Sequence, residues 1–435
     1  MASGYFDKYH IFRDPIHGYI KVYDFERELI NTSAFQRLRR IKQLGLTNLV
    51  YHGADHTRFA HSLGVMHLAD RTIQILLTKP ESARLLKWKK KKAEVEKNRA
   101  LIRILALLHD VGHSPFSHAG EKDLFPGGMN HKKFGARVIR EDADLANLLD
   151  GYLKDLYAFG KEEIADFFDS GVVTPPILGQ IIDGPLDVDR MDYLLRDSVY
   201  TGVEYGKFDL DRLLHTLTVV RDPEFQEIAL GIEEGGVYTA EALMLARYYM
   251  FLQVYFHPVR RAYDLHIRDF VTEELGGWPD EVSEFLKWDD VNVFELIRSR
   301  TGSLTRKGGI AKRIVLRTHY EKVWETRPNI EEKYIRLFEK YLGKLAAEFE
   351  LGIGDDYLID EARDAPNKFL KQVFYFEVRS PRSRYLKEKY KDVSVTSQII
   401  KSMPEKLNIT RLYMPPEDGF REIREWASRH KGDFM

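Results

Sequence analysis

The chain has 435 residues, 44% of them hydrophobic, and its 66 Lys+Arg against 67 Asp+Glu leave a net charge of -1. That is enough apolar chain for a sizeable core in two or three structural units, and the balanced charge lacks the basic excess of a dedicated nucleic-acid binder. There is no cysteine, which excludes disulfides and thiolate ligands, so any metal must rest on His and carboxylate, a donor set that suits Mn²⁺, Fe²⁺, Mg²⁺ or Zn²⁺.

In chain order, HIFRDPIHGYIKVYDF (10–25) is strand-like around Pro15 and Gly18, with Ile20 and Val22 alternating about Lys21, and predicts a short β-hairpin. Asn31-Thr32-Ser33 can cap a helix through FQRLRRIKQLG that ends at Gly45. Tyr51 to Arg58 reads as a loop, and a helix starts near Phe59. The charge-rich run 87–97 reads as a solvated hinge or helix end. In LIRILALLHDVGHSPFSHAGE (101–121), Leu101, Ile104, Leu105 and Leu108 form one helical stripe that runs into His109-Asp110, and Gly112 to Pro115 breaks the helix. After a turn at Phe125–Gly128, Asn130 caps a helix that starts at His131. Residues 141–180 read as helices, Pro185 precedes another, and 237–271 is strongly helical with a kink at Pro258. Beyond residue 305, Ile314–Leu316, 373–380, 392–397 and 409–415 read as strands, separated by amphipathic helices such as 329–349. The fold class is therefore mainly α: a helical core, residues 1–300, with an N-terminal hairpin, and a C-terminal mixed α/β appendage, residues 301–435, packed on the core and the oligomer interface. The N-terminus has no charged-then-apolar signal, and no apolar run nears the roughly 20 residues that span a bilayer. A soluble cytoplasmic protein with no membrane partner is expected.

The chemistry gathers on His61, His109, Asp110 and Asp189. A lone His on an apolar face is more often a satisfied core residue, but each of these sits on a predicted helix beside other ionisable groups. Two neutral imidazoles and two carboxylates would fill four positions of an octahedral cation and leave two open for water and substrate. His109 and His113 have the spacing of H-E-x-x-H zinc sites, yet Asp follows His109 and the helix ends early, which disfavours a metalloprotease. Asp192 and Arg196, at i and i+4, read as a surface or interhelix ion pair, and the aromatic stripe Tyr248 to Phe256 reads as core and interface.

HDVGHSPFSH (109–118) resembles the signature of the HD-domain phosphohydrolases. DPIHG (14–18), FQRLRRIKQLG (35–45), HTRFAHSLGV (56–65), DVDRMDYLLRD (187–197) and VRRAY (259–263) resemble, in the same order, the deoxynucleoside triphosphate triphosphohydrolase branch that includes the vertebrate SAM- and HD-domain enzyme. DPIHG lies almost at the N-terminus, which resembles a bacterial or archaeal form without the SAM domain. The resemblance implies a metal-dependent dNTP triphosphohydrolase in which water attacks the α-phosphorus and releases deoxynucleoside and triphosphate. The alternative is an HD phosphohydrolase for another nucleotide: GTP, a signalling nucleotide or a nucleic-acid end. It implies metal ligands His61, His109, Asp110 and Asp189, binding Mn, Mg or Fe, with Zn possible. Arg58 would contact the α-phosphate, His113 and His118 would line the phosphate site, and His131 would be the catalytic histidine, oriented by Glu121. Arg190, where the vertebrate enzyme has Lys, would bind phosphate oxygens. Tyr193 and Asp197 would face the sugar 3′-OH, Gln43 and Leu44 would border the sugar, and Tyr263 would exclude a 2′-hydroxyl. Tyr255 stands where a relative has a phosphate-contacting Arg. The resemblance further implies a homotetramer with an effector-nucleotide site at Asn31, Gln36 and Arg39. Asn31 stands there in place of a guanine-selecting Asp, and Arg13 in place of an Asn.

Overall fold

The computed structural model describes all residues except 1–3, 89–90, 122, 222–226, 329–330, 365–373, 378–389, 418–419 and 430–435. The chain opens on a hairpin of β1 (Tyr9–Asp14) and β2 (Gly18–Tyr23), in register from Tyr9 opposite Tyr23 to Asp14 opposite Gly18. The turn is built by its own sequence. Asp14 Oδ1 accepts from the backbone N–H groups of Ile16 and His17, each at 2.9 Å, and Gly18 takes φ +72°, a conformation that costs glycine little. Ile20 and Val22 point inward, as their alternation predicts.

The strand pattern stops earlier than the sequence indicates. Asp24–Asn31 is a helix, and Glu26 holds its first turn by accepting from Tyr23 N at 2.8 Å. The helix expected through Gly45 is shorter too: Ser33–Gln36, capped by Thr32, is followed by one 3-10 turn, Arg37–Arg40, and extended backbone at Ile41. Tertiary contacts override propensity here. Arg37 is buried and donates to the carbonyls of Trp288 and, at 2.8 Å, His113, while Lys42 pairs with Thr57 in an isolated bridge.

The centre is helical. Arg58–Thr78 packs on Lys92–Leu108. The expected stripe Leu101, Ile104, Leu105, Leu108 is buried, and so are Ile102, Ala106 and Leu107, so the last turns of this helix are enclosed on every side. Val237–Met250, a π turn at Phe251–Tyr255, and Pro258–Leu275 replace the long 237–271 helix, with the break at Pro258.

Among the described residues the remaining strands are β3 (Leu217–Arg221), β4 (Ile228–Glu233), β5 (Glu321–Glu325), β6 (Leu358–Asp364), β7 (Tyr375–Glu377), β8 (Tyr390–Asp392) and β9 (Leu407–Met414). They form two sheets, ordered β3-β4-β7-β8 and β5-β9-β6, with β4 and β7 parallel. Two expected strands are helices. Ile314 and Val315 end the helix Arg306–Val315, whose Ile310, Ala311 and Ile314 face the core; a three-residue apolar run cannot separate the two states. In 392–397, Asp392 ends β8 and caps the helix Val393–Thr396 through Ser394 N at 2.8 Å. Of 373–380, residues 375–377 form β7; 373 and 378–380 lie outside the described residues. Among the described residues no helix is long and apolar enough to cross a membrane.

Candidate metal centre and active site

His109 sits where the Lys92–Leu108 helix ends. Its Nδ1 is 2.7 Å from Ala106 O, which fixes the proton on Nδ1 and leaves the Nε2 lone pair free. His61, in the Arg58–Thr78 helix, has its Nδ1 2.7 Å from Asp192 Oδ2, so its Nε2 is presented in the same way. Asp189 comes from the first turn of Val188–Thr201, which Asp187 caps by accepting from Arg190 N at 2.9 Å.

The donor atoms of His61, His109 and Asp110 form one group, and Asp189 Oδ1 reaches both imidazoles. His61 Nε2 lies 2.9 Å from Asp189 Oδ1, 3.2 Å from His109 Nε2 and 3.7 Å from Asp110 Oδ2. His109 Nε2 lies 3.3 Å from Asp110 Oδ1 and 3.6 Å from Asp189 Oδ1. Ligand bonds of roughly 2.0–2.2 Å put adjacent donors about 3 Å apart in an octahedron, so the spacing fits one first-row divalent cation. The charges fit as well. Burial works against ionisation of Asp110, yet Arg58 and the imidazoles of His109 and His113 hold it well below the usual carboxylate range. Burial alone would lower His61, but Asp189, Asp192 and Asp110 push it up to about 10. The pocket demands positive charge, as a cation-binding donor set does.

Arg58 borders the cluster, donating to Asp110 Oδ2 at 2.6 Å and Ser117 Oγ at 2.8 Å. Behind Asp110 lies a second group. Glu121 Oε1 is 2.8 Å from His131 Nδ1 and accepts from its backbone N–H at 3.0 Å; Oε2 is 2.7 Å from His118 Nδ1. The His113 ring stacks on His131 with centroids 3.9 Å apart, and its Nε2 is 3.3 Å from Asp110 Oδ1. His131 starts the helix His131–Glu141, and Asn130 caps it, as the sequence predicts. Burial lowers His131 more than Glu121 raises it, so the imidazole is neutral near pH 7. Burial opposes the charge on Glu121, but His131 and His118 hold it far below its ordinary value.

Of the residues expected at the sugar, Asp197 and Tyr193 both meet Tyr255. Asp197 is buried, with His56 Nε2 2.7 Å from Oδ1 and Tyr255 Oη donating to Oδ2 at 2.7 Å. Tyr193 stands between this pair and the cluster, its ring 6.4 Å from His61 and 6.2 Å from Tyr255, and accepts from Arg247 Nη1 at 3.2 Å. Gln43 and Leu44 are buried nearby, since Arg58 Nη2 reaches Gln43 O. Arg260 Nε donates to Thr47 Oγ1 at 2.9 Å and ties the Pro258–Leu275 helix to this segment. Tyr263 is fully buried, its ring edge-on to His319. The Arg190 guanidinium is folded onto the preceding loop, 2.8 Å from Asp187. Asn31 is exposed; Gln36 accepts from Arg39 Nε at 2.8 Å, and Arg39 lies over the Phe59 ring. A cavity of about 750 Å³ opens beside His109 and Asp189 and is lined by Lys132, Phe167 and Leu230.

Sequence reasoning missed Asp192 and His56. Asp192 does pair with Arg196, at 2.8 Å, but the pair is fully buried rather than on the surface, and Asp192 also bonds His61. Its spacing was the available signal, since i+3 from Asp189 places both on one helix face.

The chain matches the HD domain over residues 58–196 and the HD associated region over residues 208–367. It is 33% identical over 353 residues to an uncharacterized protein of Methanocaldococcus jannaschii, covering 80% of this chain and 68% of that protein. It is 31% identical over 331 residues to the deoxynucleoside triphosphate triphosphohydrolase SAMHD1 homolog of Dictyostelium discoideum, covering 72% of this chain and 60% of that protein. The crystal structure of a hypothetical protein from Aquifex aeolicus superposes with a TM-score of 0.74 at 29% identity, over 97% of this chain and 99% of that one. The chain therefore belongs to the HD-domain family of metal-dependent phosphohydrolases.

Proposed function

We propose that the protein is a dNTP triphosphohydrolase, acting through His61, His109, Asp110 and Asp189 as metal ligands. The observation that carries this reading is the layering: a cation-demanding cluster lies between a His-Glu-His group and a buried Asp197–Tyr255 pair. A triphosphate needs the first two, and a sugar hydroxyl needs the third. A bound divalent cation would polarise a phosphoryl oxygen and lower the pKa of its water.

The water oxygen bonds to the α-phosphorus, the bond from phosphorus to O5′ breaks, and the water's proton goes to O5′. Neutral His131, its tautomer fixed by Glu121, exchanges that proton at Nε2. Arg58 neutralises charge on the α-phosphate. His113 and His118 line the phosphate chain, and Arg190 joins them by leaving its loop contacts. Asp197 and Tyr193 read the 3′-hydroxyl, with Gln43, Leu44 and Tyr263 closing the sugar pocket. Product chromatography after incubation with each dNTP and NTP and Mn²⁺ or Mg²⁺ tests the reading. Deoxynucleoside and triphosphate from dNTPs alone support it; a released monophosphate or single phosphate refutes it. A homotetramer with a nucleotide at Asn31, Gln36 and Arg39 completes the proposal. Sedimentation with and without each nucleotide checks it, and a monomer throughout overturns it.

A further inference from the structure

The turn of the N-terminal hairpin reaches the back of the metal cluster. His17, its side chain 1% exposed, has Nε2 2.6 Å from Oδ1 of fully buried Asp192. The other oxygen of Asp192 meets His61 Nδ1 at 2.7 Å. Arg196 spans both oxygens of Asp192, at 2.8 and 2.9 Å, and extends to Asp14 Oδ2 at 2.9 Å. Asp14 in turn holds the backbone N–H groups of Ile16 and His17 and so fixes where His17 points. The surrounding helix is shaped to admit this group. A Cβ on Gly64 would lie 1.9 Å from Asp192 Oδ1 and 2.6 Å from Arg196 Nη2. Only a glycine leaves room for the carboxylate and guanidinium one turn from His61.

We propose that Asp14, His17 and Arg196 are positioning residues of the metal centre, acting on His61 through Asp192, so that docking of the hairpin and binding of the cation support each other. With both Asp192 oxygens saturated, its carboxylate cannot turn, and His61 keeps the tautomer that offers Nε2. Without His17, Oδ1 loses a buried donor, and Asp192 shifts toward Arg196 and away from His61. Coupling of this kind is reciprocal: whatever the hairpin adds to cation affinity, the cation returns to hairpin docking. The inference rests on the cluster being a cation site and is independent of the substrate.

The test is Mn²⁺ titration of the full chain by calorimetry, with no nucleotide present. His17→Ala is expected to weaken Mn²⁺ binding about tenfold, the lower end of the cost of removing a ligand's direct partner, because it acts one contact further out. His17→Gln, which retains a donor toward Asp192, is expected to recover most of it. His10→Ala, on the same hairpin but paired with Asp24 away from the cluster, is expected to bind as the parent does. Hydrogen exchange of the parent adds an arm that needs no variant: Mn²⁺ is expected to slow exchange across residues 9–23. Mn²⁺ affinity of folded His17→Ala within threefold of the parent overturns the proposal. So does an equal loss in His17→Gln and His10→Ala, or hairpin exchange that Mn²⁺ leaves unchanged. Failure to hydrolyse dNTPs with these results intact would count against the substrate reading alone.

Discussion

Gly112 couples the proposed metal ligands to His131 by close backbone packing, and its replacement gives the sharpest mechanical prediction. A Cβ on Gly112 would lie 2.2 Å from Gly135 N, 2.3 Å from His131 O and 2.5 Å from Gly135 Cα, all main-chain atoms. Relief to ordinary contact requires the two segments to separate by about 1 Å, and no rotamer can supply that. The segments carry Asp110 and His113 on one side and His131 on the other, whose rings stack at 3.9 Å. Overpacking of this kind costs about 1–3 kcal/mol of stability, and a misplacement of about 1 Å between catalytic groups can cost about 100-fold in rate. Gly112→Ala is therefore expected to stay folded, bind Mn²⁺, and lose about two orders of magnitude in kcat with a smaller change in KM. The control is Gly135→Ala. Its Cβ would meet nothing closer than 3.4 Å, and alanine within a helix gains about 0.8–1 kcal/mol over glycine, so rate and stability should match or exceed the parent. Steady-state kinetics with thermal unfolding decide it. Gly112→Ala with a rate within threefold of the parent would refute the coupling.

Other consequences are shorter to state. Glu121→Gln should lower kcat about 100-fold while leaving Mn²⁺ stoichiometry intact, because Glu121 sets the tautomer of His131 without facing the four ligand atoms; metal analysis beside kinetics checks this. Asp110→Ala should abolish tight Mn²⁺ binding, and the stabilisation of about 2.7 kcal/mol expected of the parent at 100 times Kd should vanish from its thermal unfolding. Burial lowers His266 to about 3, and its Nε2 accepts from Tyr320 N at 3.2 Å, which only the neutral ring can do. The unfolded chain takes up that proton near pH 6.5 and the folded chain does not. The stability this ring contributes is therefore complete above about 6.5 and declines by about 4 kcal/mol as pH falls toward 3. His266→Gln, which keeps an acceptor, should flatten that acid limb in denaturant titrations; an unchanged limb would place the acid sensitivity elsewhere.

The helix ending in His109-Asp110 was legible because a 3.6-residue apolar period stops where the polar pair begins, and the Asn130 cap announced the helix that starts at His131. The hairpin was legible from its alternation. What escaped was fixed at long range. The parallel pairing of β4 with β7 joins residues 232–233 to 376–377, and nothing local signals it. Arg37 lies in a run that the cap and Gly45 predict to be one helix, yet its guanidinium is bonded to carbonyls at 113 and 288, far away in the chain. Asp192 and Arg196 have the spacing of a surface pair because spacing reports which residues share a helix face, not whether that face is wet. Their burial follows from Asp14 and His17, which approach from the other end of the chain.

The central claim is that water attacks the α-phosphorus of a dNTP beside the cluster of His61, His109, Asp110 and Asp189. Hydrolysis in ¹⁸O-labelled water with Mn²⁺, followed by mass spectrometry of both products, tests it most directly. The account predicts one labelled oxygen in the released triphosphate and none in the deoxynucleoside. Label in the deoxynucleoside 5′-hydroxyl, or in a released monophosphate or pyrophosphate, would contradict it.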